Sequence, residues 1–101
     1  MERKMHSLDG GGWFDLNRAT KYEEDQMWDG NNYRSKATGD KFTHQALFKT
    51  ASLHWVLHSW SQWQGSVPTW STIPEEDAFR WLIANGYGHE VPEKFLAQEE
   101  V

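Results

Sequence analysis

Residues 53–60, LHWVLHSW, decide the fold, because a strand and a helix would sort these side chains differently. In a strand, alternate side chains share a face. One face would carry Leu53, Trp55 and Leu57, and the other His54, Val56, His58 and Trp60. A helix would instead align Leu53, Val56, Leu57 and Trp60. Valine and serine-flanked aromatics suit a pleated surface, and no helix cap precedes Leu53, so the pattern favours a strand.

Turn signals on both sides of this segment predict further strands. Asp29-Gly30, followed by Asn31-Asn32, is the strongest turn signal and predicts a hairpin that pairs the segment before Trp28 with Tyr33–Ala37. Residues 44–50 are typical of a strand. The other predicted strands are Trp13–Asn17, residues 19–27 and a short edge strand over Val67–Ser71. For residues 19–27 a helical turn is the alternative.

The clearest helix signal follows Thr72. Thr72 and Glu75 have the spacing of a capping box, and Pro74 suits a first turn. Asn85-Gly86 is typical of a left-handed helix end, so a helix is predicted from about Pro74 to Asn85. Its buried stripe is predicted to comprise Ala78, Phe79, Leu82 and Ile83, with Trp81 beside it. Residues 93–99 form either a second short helix after Pro92 or a frayed end.

These elements predict an α+β fold, a twisted antiparallel meander of about four or five strands from Trp13 to Trp70 packed against one C-terminal helix. The chain has 101 residues, which is enough for one domain. We assign that domain to residues 13–90. Residues 1–12, which end in three glycines, are expected to be a flexible segment outside the core, and residues 91–101 a tail or short helix.

Composition places the chain among folded, water-soluble proteins. It is 38% hydrophobic and 15% aromatic, with seven Trp and five Phe, and its mean hydropathy is −0.84. The absence of Cys excludes disulfides, thiolate nucleophiles and Cys-based metal sites, and it fits a reducing compartment. No apolar signal region and no apolar run of 18 residues occurs. We therefore expect a cytoplasmic protein that does not enter membranes.

The net charge of −5 lies entirely in the second half, where residues 51–101 carry two basic and seven acidic side chains. A reader of duplex nucleic acid needs clustered Lys and Arg, which this distribution does not favour. The most basic group is modest and is interrupted by Asp40. It comprises Arg34, Lys36, Lys41 and Lys49, and we interpret it as a solvated sheet face.

Three segments carry a resemblance. Residues 28–32 read WDGNN, residues 44–50 read HQALFKT, and residues 55–66 read WVLHSWSQWQGS, before the predicted helix over 78–86. The chain resembles a family of short bacterial proteins, also met on plasmids and in phage-related settings, over residues 13–88. It departs from that pattern at residues 51–54, ASLH, where such sequences tend to have a Gly and an Arg. The resemblance implies a phage or plasmid conflict setting but neither an activity nor a site.

The sequence offers little for catalysis. His54 and His58 are four residues apart, which on a strand is about 13 Å and too far for one metal ion. No nucleophile elbow, phosphate loop or zinc-protease helix occurs. We therefore expect no metal, no cofactor and a chain that is not an enzyme. A small His/Asp-dependent enzyme is an alternative that would require His44, His54 or His58 to meet an acid such as Asp29.

The tryptophans point to a contact surface. One helix covers only one sheet face, so aromatic residues on the other face, surrounded by Ser and Gln, are predicted to bind a partner. The predicted partner-binding residues are Trp60, Trp63, His54, His58 and Tyr33. The acidic group Glu75, Glu76 and Asp77 would steer a basic partner. We expect a protein partner or a homodimer. A module that stacks sugars or single-stranded nucleic acid on Trp is the alternative.

Overall fold

The computed structural model describes residues 2–101. It contains eight strands, two α-helices and two short 3₁₀ turns, Leu16–Arg18 and Gly88–Glu90. The strands are β1 (Met5–Ser7), β2 (Trp13–Asp15), β3 (Thr20–Glu23), β4 (Gln26–Trp28), β5 (Tyr33–Ser35), β6 (Thr43–Lys49), β7 (Trp55–Ser61) and β8 (Thr69–Ile73). The helices are α1 (Glu75–Ala84) and α2 (Glu93–Glu99).

The α+β class and the antiparallel pairing are confirmed, but the single meander is wrong. Four strands form the main sheet in the order β3-β6-β7-β8, while β1-β2 and β4-β5 are separate two-stranded sheets. The ladder between β3 and β6 ends at the pair Glu23 and Ala46, and just beyond it the backbone N–H of Gln45 donates to the Glu24 side chain, 2.6 Å away. After β3 the strands β4 and β5 pair with each other.

Residues 53–60 form a strand for most of their length, as predicted. β7 lies inside the main sheet and pairs with β6 on one side and β8 on the other. Trp55 packs in the core beneath α1, and Val56 is buried on the opposite face. Leu53 does not share that strand: it lies in the turn between β6 and β7, exposed and with a φ of 66°.

The helix α1 begins and ends close to its predicted bounds and covers one face of the main sheet. Its buried side chains pack against Leu47 and Trp55, and they are Ala78, Phe79, Trp81 and Leu82. Ile83, predicted in the buried stripe, is 40% exposed, and Trp81 takes the buried position instead. The capping box is also wrong, because Thr72 belongs to β8 and Pro74 occupies the cap without a side-chain hydrogen bond.

The hairpin β1-β2 covers part of the other face. Phe14 is buried against Phe48 and Val56, and Leu8 packs beside them. The hairpin is joined to β8, because the N–H of Asp9 donates to the Trp70 carbonyl at 2.9 Å and the Trp70 N–H returns a bond to the Asp9 carboxylate at 2.8 Å. Residues 5–9, assigned from the sequence to a segment outside the core, thus form a strand and a link to the main sheet.

Candidate functional site

Five aromatic rings form a continuous stack on the face of the main sheet opposite α1. Successive ring centroids are 3.8 Å apart for His6 and Trp70, 3.7 Å for Trp70 and His58, 4.7 Å for His58 and Trp60, and 5.8 Å for Trp60 and His44. We call these five residues the His-Trp stack. It forms because His58 and Trp60 are alternate residues of β7, while His44 and Trp70 are their partners on the neighbouring strands.

His58 is the central ring of this stack. Burial lowers its pKa from the ordinary 6.5, and the nearby charges of His6 and Lys21 lower it further. A hydrogen bond to the Thr69 carbonyl, 3.1 Å from Nδ1, acts in the opposite direction. Each of the two tryptophans stacks one ring face on His58, and that face is therefore not open to a base or sugar.

His44 ends the stack and is held by the partly buried carboxylate of Glu24. Its Nδ1 atom lies 2.7 Å from Glu24 Oε2, and the other Glu24 oxygen accepts hydrogen bonds from Gln45 N and from Ser35 Oγ at 2.7 Å. No buried side-chain nitrogen or oxygen in residues 2–101 lacks a partner, so the unbonded Nε2 of His44 reaches solvent. It borders a groove of about 360 Å³ whose wall includes Trp60. The arrangement can bind a hydrogen-bonding group at Nε2.

Trp63 stands on the loop that follows β7. Its ring packs against Phe42 with centroids 4.7 Å apart, yet 61% of the residue is exposed. We call Phe42 and Trp63 the loop pair. The loop is ordered by serine hydrogen bonds: Ser61 Oγ accepts from Trp63 N at 3.1 Å, and Ser66 Oγ donates to the Trp63 carbonyl at 2.7 Å.

Trp28 and Tyr33 form a second exposed pair, the tip pair, at the end of the hairpin β4-β5. Their centroids are 5.0 Å apart, and they are 59% and 62% exposed. The turn between them is fixed by Asp29, whose carboxylate accepts hydrogen bonds from the N–H groups of Asn31 and Asn32. These bonds, and the ion pair with Arg34, hold the pKa of Asp29 well below its usual range.

The loop pair, Trp60 and the hairpin β4-β5 all lie toward one end of the main sheet. At this end β3 finishes, β6 begins and β7 finishes, since Glu23 pairs with Ala46 and Thr43 with Ser61. We call it the aromatic end, with the loop pair, Trp60 and the tip pair as its aromatic residues. Sequence patterns did not single out Phe42 or Trp28 as site residues, although the predicted hairpin at Asp29-Gly30 paired the segment before Trp28 with Tyr33–Ala37.

Two predicted groups lie at the opposite end. His54 precedes β7, so it is about 20 Å along the strand from Trp60. Glu75, Glu76 and Asp77 are exposed in the first turn of α1, which begins just after Ile73, the partner of Trp55. The structure therefore joins His44 and His58 through Trp60 and leaves His54 apart. Asp29 meets none of these histidines through a hydrogen bond, because its carboxylate serves its own turn and Arg34.

The predicted basic group is largely engaged within the protein. Arg34 pairs with Asp29, and Lys36 pairs with Asp25 at 2.9 Å. Lys41 lies over the Phe42 ring at 4.8 Å, and Lys49 lies over Trp55 at the far end of the sheet. Two of the four cations are thus matched by carboxylates, and the other two are at opposite ends of β6. This distribution does not form a continuous track for phosphates.

Comparison with family models, with curated proteins and with solved structures finds no match to this chain. Across residues 2–101, no three His, Asp or Glu side chains come together in a way that could hold a metal ion. Neither α1 nor α2, nor any other helix in that range, has the length and apolar character needed to cross a membrane.

Proposed function

We propose that this chain is a small non-enzymatic binding protein that holds a protein partner against its aromatic end. One observation carries the proposal: Trp28, Tyr33 and Trp63 are each about three-fifths exposed, yet they stand on turns fixed by side-chain hydrogen bonds. Large aromatic residues dominate the energetics of protein interfaces. None of the three belongs to a core cluster, so we expect each to contribute little to the stability of the monomer.

Order in the two turns favours binding. When binding immobilises a mobile side chain, the favourable binding free energy is reduced by about 0.5–1.5 kcal/mol for each such side chain. The carboxylate of Asp29 and the hydroxyl of Ser66 already restrict the backbone next to these rings. The rings themselves pack in pairs, at 5.0 Å for the tip pair and 4.7 Å for the loop pair. Much of the ordering therefore precedes association.

The acidic residues act at a distance in this proposal. Glu75, Glu76 and Asp77 are exposed at the end of the sheet away from the aromatic end. At low ionic strength they add to the long-range field that attracts a basic partner, and they do not touch a partner held at the aromatic end. Such steering weakens as salt is added, because the Debye length is about 8 Å at physiological ionic strength.

A ligand-binding module is the second candidate. Its support is the largely exposed ring of Trp63, which packs against Phe42, and the Lys41 ammonium, which lies over the Phe42 ring. An exposed aromatic ring with a nearby cation is an arrangement that binds single-stranded nucleic acid, and such a ring also stacks on sugars. The third candidate, a small enzyme, rests on the oriented His44 with Glu24 rather than on Asp29. A phage or plasmid conflict setting is supported only by the resemblance described above.

Matched tryptophan variants test the proposal. Trp63→Ser and the double variant Trp28→Ser, Tyr33→Ser should each weaken partner capture at least about tenfold, about 1.4 kcal/mol, while leaving the fold intact. Trp13→Ser is the control, because Trp13 is also exposed but belongs to the hairpin β1-β2. Capture from nuclease-treated bacterial lysate detects a foreign protein partner. Sedimentation of the purified chain detects self-association. The proposal would be contradicted if Trp13→Ser weakened partner capture as much as the test variants, or if neither test variant weakened it.

A further inference from the structure

A second concave site lies at the end of the molecule away from the aromatic end. It is an open pocket of about 530 Å³ between the hairpin β1-β2 and the turn that joins β6 to β7. The volume is within the range of about 300–1,000 Å³ that is typical of small-molecule sites. The pocket exists because residues 3–18 fold back onto the sheet, so no local sequence pattern could reveal it.

The inner wall of the pocket is apolar. Phe14 and Val56 lie behind it as buried core residues, and the partly buried Leu8 packs against them at the pocket surface. Trp13 stands on the rim with 45% of its surface exposed. A flat apolar ring placed here would contact aromatic and aliphatic carbon on more than one side.

Two guanidinium groups border the same pocket. Arg3 and Arg18 both line it, and neither forms an ion pair within residues 2–101. Arg3 lies 5.8 Å from the Trp13 ring centroid, in the range of a cation-π contact. Asp15 is the acid that lines the pocket, and its Oδ1 atom accepts the backbone N–H groups of Lys4 and Asn17. The pocket thus has more positive than negative charge, although the chain as a whole is acidic.

Hydroxyl and imidazole groups complete the polar lining. Ser52 Oγ lies 3.0 Å from His54 Nδ1 and 3.2 Å from Thr50 Oγ1, and Thr50 Oγ1 also accepts the N–H of His54. The network leaves His54 Nε2 without a hydrogen bond in the described chain. His54 therefore adds a polar ring nitrogen to the lining of the pocket.

We propose that this pocket binds a small aromatic phosphate, of which a nucleoside monophosphate is the representative form. The ring lies against Leu8 and Trp13, and the phosphate binds Arg3 and Arg18. Guanidinium groups remain charged at physiological pH and match phosphate oxygens in a bidentate geometry. An aliphatic anion would leave the apolar wall unused, and a neutral ring would leave both guanidinium groups without a partner.

Isothermal titration calorimetry of the full chain with adenosine 5′-monophosphate tests the assignment. Saturable binding is expected, weakened at least about tenfold in the double variant Arg3→Ala, Arg18→Ala. Lys94→Ala is the control for the loss of a positive charge away from the pocket, because Lys94 is exposed on α2, and it should bind like the parent chain. Circular dichroism of each variant confirms that the fold is retained.

Two further ligands separate the parts of the site. Adenosine and inorganic phosphate should each bind at least about tenfold more weakly than the monophosphate, since each lacks one of the two contacts. Equal affinity for inorganic phosphate would overturn the ring contact, and equal affinity for adenosine would overturn the role of the arginines. Absence of saturable binding at millimolar monophosphate would overturn the site as a whole. The Trp63→Ser variant should bind the monophosphate normally, so this test is independent of the partner proposal.

Discussion

The two faces of the main sheet are covered in different ways. On one face the ten-residue helix α1 buries Leu47 and Leu82 completely, and its polar groups have partners within the core. On the other face a hairpin of two three-residue strands covers only part of the surface, and imidazole rings lie between tryptophans. This difference predicts that contacts on the helix face contribute most of the folding free energy. The hairpin face retains titratable and accessible groups.

Polar groups on the helix face illustrate the difference. Trp81 Nε1 donates to Gln45 Oε1 at 3.0 Å, and the buried Asn85 donates to the Trp81 carbonyl at 2.8 Å. The Asn85 oxygen also accepts the N–H of Asp25, which fixes the start of the hairpin β4-β5. These buried polar groups therefore form specific hydrogen bonds within the protein, and they are not available for contact with a ligand.

The largest effect is expected for deletion of a leucine beneath α1. Leu82→Ala should lower the free energy of unfolding by about 2–5 kcal/mol, because Leu82 is fully buried and its neighbours can only partly fill the cavity. Leu8→Ala makes the same chemical change on the hairpin face, where the side chain is partly buried, and should cost less than half as much. Urea denaturation measures both. Equal losses would show that the two faces contribute alike.

Removal of the first strand is the next largest change. A chain lacking residues 1–8 should lose roughly 1–3 kcal/mol, from the burial of Leu8 and the ring contact of His6 with Trp70. Removal of Glu100 and Val101, which are both exposed, is the control and should change stability little. Thermal and urea unfolding of both truncated chains give the comparison. If the free energy of unfolding did not change when residues 1–8 were removed, β1 would not be part of the core, as the sequence predicted.

The parts of the fold that were predicted correctly carry local signals. β7, the turn at Asp29-Gly30 and α1 were each indicated by a periodic pattern or a turn signal within a few residues. Strand alternation also sorted Trp55 and Val56 onto their observed faces. These features depend on neighbours along the chain, which is the information that a single sequence contains.

The parts that were missed depend on contacts between distant residues. β1 has no apolar periodicity, and its hairpin is held by bonds between Asp9 and Trp70, 61 residues apart. The pairing of Glu24 with His44 spans 20 residues and has no motif. At the candidate site, the sequence singled out Trp60, Trp63 and Tyr33, which lie at the aromatic end. It also grouped His54 with them, because residue spacing alone does not say where β7 begins.

A smaller effect is expected for the pH dependence of the free energy of unfolding, which depends on His58 of the hairpin face. Because the pKa of His58 is lowered in the folded state, the unfolded chain binds more protons than the folded chain below about pH 6.5. The stability contributed by neutral His58 is therefore present above that pH and is lost as pH falls through the folded pKa. His58→Phe keeps an aromatic ring between Trp60 and Trp70, and it should show a weaker loss of stability between pH 7.5 and pH 5 in urea denaturation.

The control for that titration is a variant of a histidine outside the stack. His89→Phe changes an exposed residue on the 3₁₀ turn after α1. Its stability should follow the same pH dependence as the parent chain. A His58→Phe chain with the parental pH dependence would show that the titration of His58 does not couple to folding, and it would remove this distinction between the two faces.

The smallest effect on stability is expected at the residue with the largest proposed role in binding. Trp63→Ser should change the free energy of unfolding by no more than about 0.5 kcal/mol, because the ring is mostly exposed and contacts Phe42 above the loop. Trp60→Ser is the matched change within the His-Trp stack and should cost clearly more, because the Trp60 ring contacts both His44 and His58. Urea denaturation compares the two. A large loss for Trp63→Ser would make this tryptophan part of the core, and the contact surface would lose one of its three most exposed aromatic residues.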